Sequence, residues 1–207
     1  MPSREAPRLL LATNNAGKSR EFQALLSDSG WEAVTPASLE LELEVSETGS
    51  TYEDNARLKA TAFARASGLP ALADDSGLEV DALGGEPGPL HHLRGWDGRD
   101  DSERISILLD SLRSVPAANR RCRYKAVVLV AFPDGSELVG EGACEGVIVD
   151  RSSGAGGFGY DPVFFLPDFG RTMAELTFDE KNAISHRARA ASQILPALRQ
   201  RAGVPAD

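Results

Sequence analysis

The sequence predicts an α/β fold with a mixed sheet, flanking helices and a cleft between lobes. Three observations carry this prediction. Short apolar runs that read as buried strands alternate with amphipathic helical stretches in the N-terminal part of the chain. Two long β-rich runs, Arg123 to Phe132 and Glu137 to Val149, flank the turn signal Pro133-Asp134-Gly135-Ser136 and so form an antiparallel pair. Alternating elements favour parallel pairing and the hairpin is antiparallel, so the sheet is mixed.

Arg8 to Thr13 (RLLLAT) reads as a buried strand. Asn14 or Asn15 then caps a helix running to about Ser29, with Phe22, Leu25 and Leu26 on one apolar face. Trp31 to Thr35 is a second strand, and the acidic segment Leu39 to Glu47 is a loop or an edge strand. Thr51-Tyr52-Glu53-Asp54 has the form of a capping box, opening a helix to Ser67 that Gly68 stops. Leu69 to Ala73 is a buried strand ending in Asp74-Asp75-Ser76-Gly77. Asp101 to Leu112 is an amphipathic helix, Gly154 to Gly159 a glycine-rich loop, and Ser185 caps a last helix to about Arg201.

With 207 residues and no repeat or linker, the chain fits a single domain, 1–207, built as one body or two closely packed lobes. It carries 22 lysines and arginines against 31 acids, a formal net charge of −9. Such a surface repels a polyanion, which excludes nucleic acid as a partner, but a small anion can still bind where a few cations converge. Cys122 and Cys144 lack metal-ligand spacing and read as reduced, buried thiols. No signal peptide or membrane-length apolar run is present, so the expectation is a soluble, cytoplasmic protein with no membrane partner.

Five segments could carry chemistry, and each also has an ordinary structural reading. Ala12-Thr13-Asn14-Asn15-Ala16-Gly17-Lys18-Ser19 runs from strand to helix. Its backbone amides, helix N-terminus and Lys18 suit a phosphate, and it nearly matches a P-loop, with Ala12 where the first glycine is usual. Glu47-Thr48-Gly49 is followed by Asn55 and Lys59, which project from one helix face or simply solvate it. Asp74 and Asp75 at a strand end form a hard-ligand arrangement for Mg²⁺, or a plain turn; successive strand residues point to opposite faces, so one faces the cleft and the other braces it. Phe158 and Tyr160, in the run Gly154 to Pro162, suit stacking on a flat ring, or tether a hairpin tip. His186 and Arg187 are cations at a helix N-terminus, where they oppose the macrodipole unless they read an acceptor-rich ligand.

Together the five segments resemble the inosine/xanthosine triphosphate pyrophosphatase family. The resemblance runs from about Leu9 to Leu198, through LATNNAGK, ETGSTYEDNARLKA, ADDSGLEVDALGGEPG, GGFGYDPVFF and KNAISHRARA in the family's order and spacing. It implies a two-lobed fold with a long central mixed sheet, a homodimer, and magnesium-dependent attack of water on the α-phosphorus of deaminated purine nucleoside triphosphates, releasing pyrophosphate. By position, Thr13, Asn15 and Lys18 look like the phosphate cradle and Lys59 like a second phosphate cation, with Asn55 on the same helix. Glu47 and Asp75 resemble the metal carboxylates. Asp75 is the residue to orient or deprotonate the water, with Asp74 beside it, while Ser76 and Gly77 close the turn on the triphosphate. The resemblance implies that Phe158 stacks on the base within Phe158-Gly159-Tyr160-Asp161, with Asp161, Lys181, His186 and Arg187 around the base edge.

Base choice follows from donors and acceptors. Hypoxanthine and xanthine carry an acceptor O6 that His186 or Arg187 can donate to, whereas adenine presents an amino donor there, a mismatch costing roughly 1–3 kcal/mol. Guanine shares O6, so its rejection needs a further contact near its 2-amino group. After Gly88 the chain departs from the usual Ser-Ala-Arg-aromatic run, reading Pro89-Leu90-His91-His92-Leu93-Arg94-Gly95-Trp96. Two rival readings stay open: a P-loop nucleotide kinase or NTPase using Ala12 to Ser19, and a nucleotide-binding module without catalysis. The first leaves the GFGYDP and SHR segments unexplained, and the second has no need of the carboxylates.

Overall fold

A computed structural model describes residues 6–90, 96 and 100–204. Its strands form one seven-stranded mixed sheet in the order β2-β1-β3-β4-β5-β6-β7. β1 (Arg8–Leu11) pairs in parallel with β2 (Glu32–Val34) and with β3 (Ala71–Val80). β4 (Arg121–Ala131) and β5 (Glu137–Ile148) form the expected hairpin, closed where the Phe132 amide donates to the Ser136 carbonyl at 3.0 Å. β6 (Phe164–Leu166) and β7 (Arg171–Thr172) extend it antiparallel.

The helices begin where their caps put them. α1 (Ala16–Leu25) opens at Asn15, whose side chain accepts from the Lys18 amide, and ends four residues before the expected Ser29. α2 (Tyr52–Ser67) opens at Thr51 and stops at Gly68, which takes the left-handed conformation with φ 69°. The Thr51 hydroxyl accepts from the Asp54 amide at 3.1 Å, and the Asp54 carboxylate accepts from Ser50 Oγ at 3.3 Å. α3 (Asp101–Ser111) is capped by Asp100. The sequence reading anticipated neither β6, β7 nor α4 (Phe178–Ile184), which has a complete Thr177–Glu180 capping box; α5 (His186–Ala202) follows after Ser185.

Two expectations change. Asp74-Asp75-Ser76-Gly77 does not end a strand, because β3 runs on through it to Val80. Both acids are buried and meet cations, so their charges do not force the chain out of the sheet. Of the two readings of Leu39 to Glu47, the loop holds and the edge strand does not: Leu39 closes a 3-10 turn, Glu40 is left-handed at φ 51°, and residues 41–47 form no ladder, with Leu41, Leu43 and Val45 packed on the core and Glu42 and Glu44 exposed.

The chain divides into two compact units, residues 1–75, 126–142 and 187–207, and residues 76–125 and 143–186. In the first, alternate strand residues serve opposite faces of the sheet, as the two-residue period of a strand requires. Leu10, Ala71, Ala73, Val127 and Leu129 pack under α2 through Ala56, Ala60 and Phe63. Leu9, Leu11, Leu72, Val128 and Val130 pack under α1 and α5 through Phe22, Leu26, Ile194 and Leu198. The core of the second unit joins Leu78, Val80, Tyr124 and Ile148 to Leu108 and Ile105 of α3, and also holds Cys122 and Cys144, both buried and unbridged. Among the described residues no helix is long and apolar enough to cross a membrane.

Candidate active site

In the first unit, seven of the residues singled out in the sequence converge around the start of α1, one face of α2 and the middle of β3. β3 turns its adjacent acids to opposite sides. Asp74 Oδ2 meets the Lys18 ammonium at 2.7 Å and Arg187 Nε at 3.2 Å. Asp75 Oδ1 meets the Lys59 ammonium at 3.0 Å, and its Oδ2 accepts from Asn55 Nδ2 at 3.3 Å. Lys59 also reaches Glu47 Oε1 at 2.6 Å and the Asp74 carbonyl at 2.9 Å. Asn55 is fully buried, and its Oδ1 accepts the Gly49 amide at 2.8 Å, tying the Glu47-Thr48-Gly49 turn to Asp75.

The phosphate-cradle segment folds on itself: Thr13 Oγ1 accepts from the Asn15 amide at 3.1 Å, and Asn15 Oδ1 accepts from the Lys18 amide at 3.0 Å. Thr13, Asn15, Lys18, Glu47 and Lys59 line a cavity of about 550 Å³, walled on one side by residues 43–47. Its mouth therefore presents two ammonium groups beside a helix N-terminus, which is what a polyphosphate requires.

The two acids sit in opposed electrostatic environments. Burial would raise Asp74, but the Lys18 and Arg187 cations outweigh it and hold its carboxyl well below the usual range. Burial raises the Asp75 carboxyl above its ordinary value, with Lys59 opposing and Glu47 reinforcing the rise. For Lys59, the attraction of Asp75 and Glu47 overcomes burial and raises its pKa. One carboxylate is thus locked in the charged form and its neighbour is displaced toward accepting a proton, the separation that marks acid–base pairs.

The residue types fit magnesium. Glu47 and Asp75 both direct an oxygen at one point, now taken by the Lys59 ammonium, so a cation already sits where their charges meet. Mg²⁺ takes one or two carboxylates and keeps waters or phosphate oxygens in its remaining positions. Among the described residues no cluster of three or more His, Cys, Asp or Glu side chains forms, so the site lacks the closed ligand set of a structural transition metal.

All of the base-recognition candidates except Arg187 lie in the second unit. Asp161 is buried, and its Oδ2 accepts from Lys181 Nζ at 2.7 Å and from the Phe158 amide at 3.0 Å. Lys181 Nζ stands 4.7 Å from the Phe158 ring centroid. A Cβ at Gly157 would fall 2.0 Å from the Asp161 carboxylate, so this tight loop requires glycine there. His186 is buried and stacked on Tyr124 at 4.7 Å, and Tyr124 stacks in turn on Phe164 at 4.4 Å. Tyr160 closes the loop against the core.

Some placements differ from the sequence reading. Ser76 and Gly77 continue β3 and close no turn. Arg187, expected at the base edge, is buried with its guanidinium on Asp74 and on Glu21 Oε2, each at 3.2 Å. The altered run after Pro89 lies outside the described residues from His91 to Gly95, while the buried Trp96 donates to Glu86 Oε2 at 3.0 Å. Glu21 and Tyr124 were missed. Glu21 could have been found as an acid one turn before Leu25 on the apolar face of α1, and Tyr124 by its alternation with Cys122 and Ala126 on the buried face of β4.

The chain is 50% identical to a dITP/XTP pyrophosphatase of Symbiobacterium thermophilum over 192 residues, 92% of this chain and 94% of that protein. It is 45% identical to one of Thermus thermophilus, over 93% of this chain and 92% of that protein. The solved structure of a HAM1 protein from Coxiella burnetii is similar with a TM-score of 0.82 and 37% identity, over 94% of this chain and 99% of that one. The model of the Ham1 family matches residues 9–197. With nearly its whole length matched in sequence and in fold, the chain belongs to the Ham1 family.

Proposed function

We propose that this chain hydrolyses deaminated purine nucleoside triphosphates, dITP, ITP and XTP, to the nucleoside monophosphate and pyrophosphate. The observation that carries the reading is the pair of adjacent acids on β3, one locked by Lys18 and Arg187 and the other joined with Glu47 on Lys59. The names of the relatives from Symbiobacterium and Thermus support the same substrate class.

In this reading the triphosphate lies in the cavity against Lys18, Lys59 and the N-terminus of α1, with Thr13 and Asn15 shaping the turn. Asp75 accepts the proton of a water whose oxygen attacks the α-phosphorus. The bond from that phosphorus to the bridging oxygen breaks, and pyrophosphate leaves with the electron pair. Lys18 and Lys59 stabilise the charge that develops on the phosphoryl oxygens. Glu47 and Asp75 are the residues to hold Mg²⁺, which, when bound, neutralises phosphate charge as a Lewis acid. Asn55 orients Asp75, and Asp74 braces Lys18.

The purine stacks on Phe158 in the loop that Gly159, Tyr160 and Asp161 complete. Lys181 and His186 supply donors near its edge, with Arg187 held back by Glu21 and Asp74. The chain acts as one pyrophosphatase domain, as a homodimer in the cytoplasm. Its net charge of −9 supports action on free nucleotides rather than on nucleic acid or at an anionic membrane.

Product analysis with dITP, XTP, dGTP and ATP, with and without Mg²⁺, tests this reading. The expected result is pyrophosphate and monophosphate, from dITP and XTP well before dGTP or ATP, and only with metal. Orthophosphate and diphosphate would instead favour a P-loop NTPase, and nucleotide binding without turnover a binding module.

A further inference from the structure

Two consecutive amides of the glycine-rich loop donate to carboxylates, and the two carboxylates are of different kinds. The Phe158 amide donates to Asp161, which is buried, ion-paired to Lys181 and part of the loop itself. The Gly159 amide donates to Asp101 Oδ2 at 2.6 Å, and Asp101 lies 58 positions upstream as the first residue of α3. α3 does not need that carboxylate for its own start, because Asp100 already caps it by accepting the Glu103 amide at 2.8 Å. The Asp101 side chain is half-exposed, with Arg104 one turn on at 3.6 Å.

The loop between Gly154 and Gly159 contains four glycines, three of them with positive φ, so unrestrained it has many conformations to lose when a ligand orders it. A ring can stack on a base with full effect only if the loop is already set, since ordering it on binding subtracts from affinity. Asp161 fixes one side of the Phe158 peptide from within, and Asp101 fixes the other from a rigid helix.

We propose that Asp101 is a positioning residue for purine recognition: through the Gly159 amide it holds the turn that aims Phe158, and it sets base affinity without touching the base. This rests on the reading of Phe158 as the stacking residue. Hydrogen bonds to a charged group are among the stronger ones, so losing this one weakens purine binding by about tenfold. Phosphate binding by Lys18 and Lys59 is left unchanged.

The test compares Asp101→Ala and Asp101→Asn with Asp100→Ala, which removes a helix cap but not the clasp. Readouts are kcat and KM for dITP, calorimetric affinity for inosine monophosphate, inhibition by inorganic tripolyphosphate, and amide exchange at residues 157–160. Asp101→Ala should raise KM and the Kd for inosine monophosphate about tenfold, keep kcat within about threefold, leave tripolyphosphate inhibition unchanged and speed exchange at Gly159. Asp101→Asn, which still offers an acceptor, should recover part of the loss. Unchanged nucleotide affinity, equal weakening of tripolyphosphate and nucleotide, or the same effect from Asp100→Ala would overturn the proposal. Failure of the wild-type chain to turn over dITP would defeat the functional reading alone, leaving calorimetry to judge Asp101; wild-type protein that binds no purine nucleotide would overturn both.

Discussion

At the scale of single residues, the adjacent acids of β3 divide the work because a strand gives neighbouring side chains opposite directions. Asp74 faces Lys18 and Arg187 and stays charged; Asp75 faces Lys59, Glu47 and Asn55 and is raised. Asp75→Asn keeps the shape and the Asn55 contact but removes the proton acceptor. It should lower kcat for dITP by about 10³-fold while nucleotide affinity changes only a few-fold, read by steady-state kinetics and calorimetry. A comparable loss of affinity would make Asp75 a binding residue first. That the two acids part company was legible from strand period alone. Which faced which cation was not, because Lys18, Lys59 and Arg187 come from three separate helices.

At the scale of elements, the caps explain both successes and misses. Thr51 and Gly68 stand where the sequence predicts them, and Asn15 is one of the two caps it offers, at ends that local chemistry dictates. α4 has an equally clear signature, Thr177 with Glu180 three residues on, but only seven residues, too few for an apolar period to show. Its cap yields a pH prediction. The Arg171 guanidinium, with the Thr177 amide and hydroxyl, lowers the Glu180 carboxyl from 4.5 to about 2. A carboxyl depressed in the folded state contributes stability that is present above its unfolded pKa and is lost as pH falls through the folded one. Glu180→Gln should therefore be less stable than wild type at pH 7. The gap should narrow between the two pKa values, as followed by urea midpoints over a pH series; a gap constant with pH would place the effect elsewhere.

At the scale of the whole molecule, the apolar clusters are built without the acidic site, and Lys59 bridges Glu47 and Asp75 and offsets part of their charge from within. The fold should then not depend on metal even though turnover does. Chelation with EDTA should abolish pyrophosphate release from dITP while moving Tm by less than about 4 °C, followed by calorimetry beside the activity assay. A larger drop would mean that the carboxylates hold a structural ion.

The sequence by itself determined the class of fold, the caps of α1 and α2, the hairpin and the identity of the polar segments, because period, turn chemistry and motif spacing are local properties. It also determined the family, since the motifs extend in order over nearly the whole chain. Only the tertiary structure decided that β3 continues through its acids. The penalty for burying Asp74 and Asp75 in a strand is offset by Lys18, Lys59 and Arg187, residues 56, 16 and 113 positions away from the acids they meet. The same reason hid the Glu21–Arg187 pair and the Asp101–Gly159 clasp: each joins charges or dipoles that are distant in the chain, and no local rule announces such a partner.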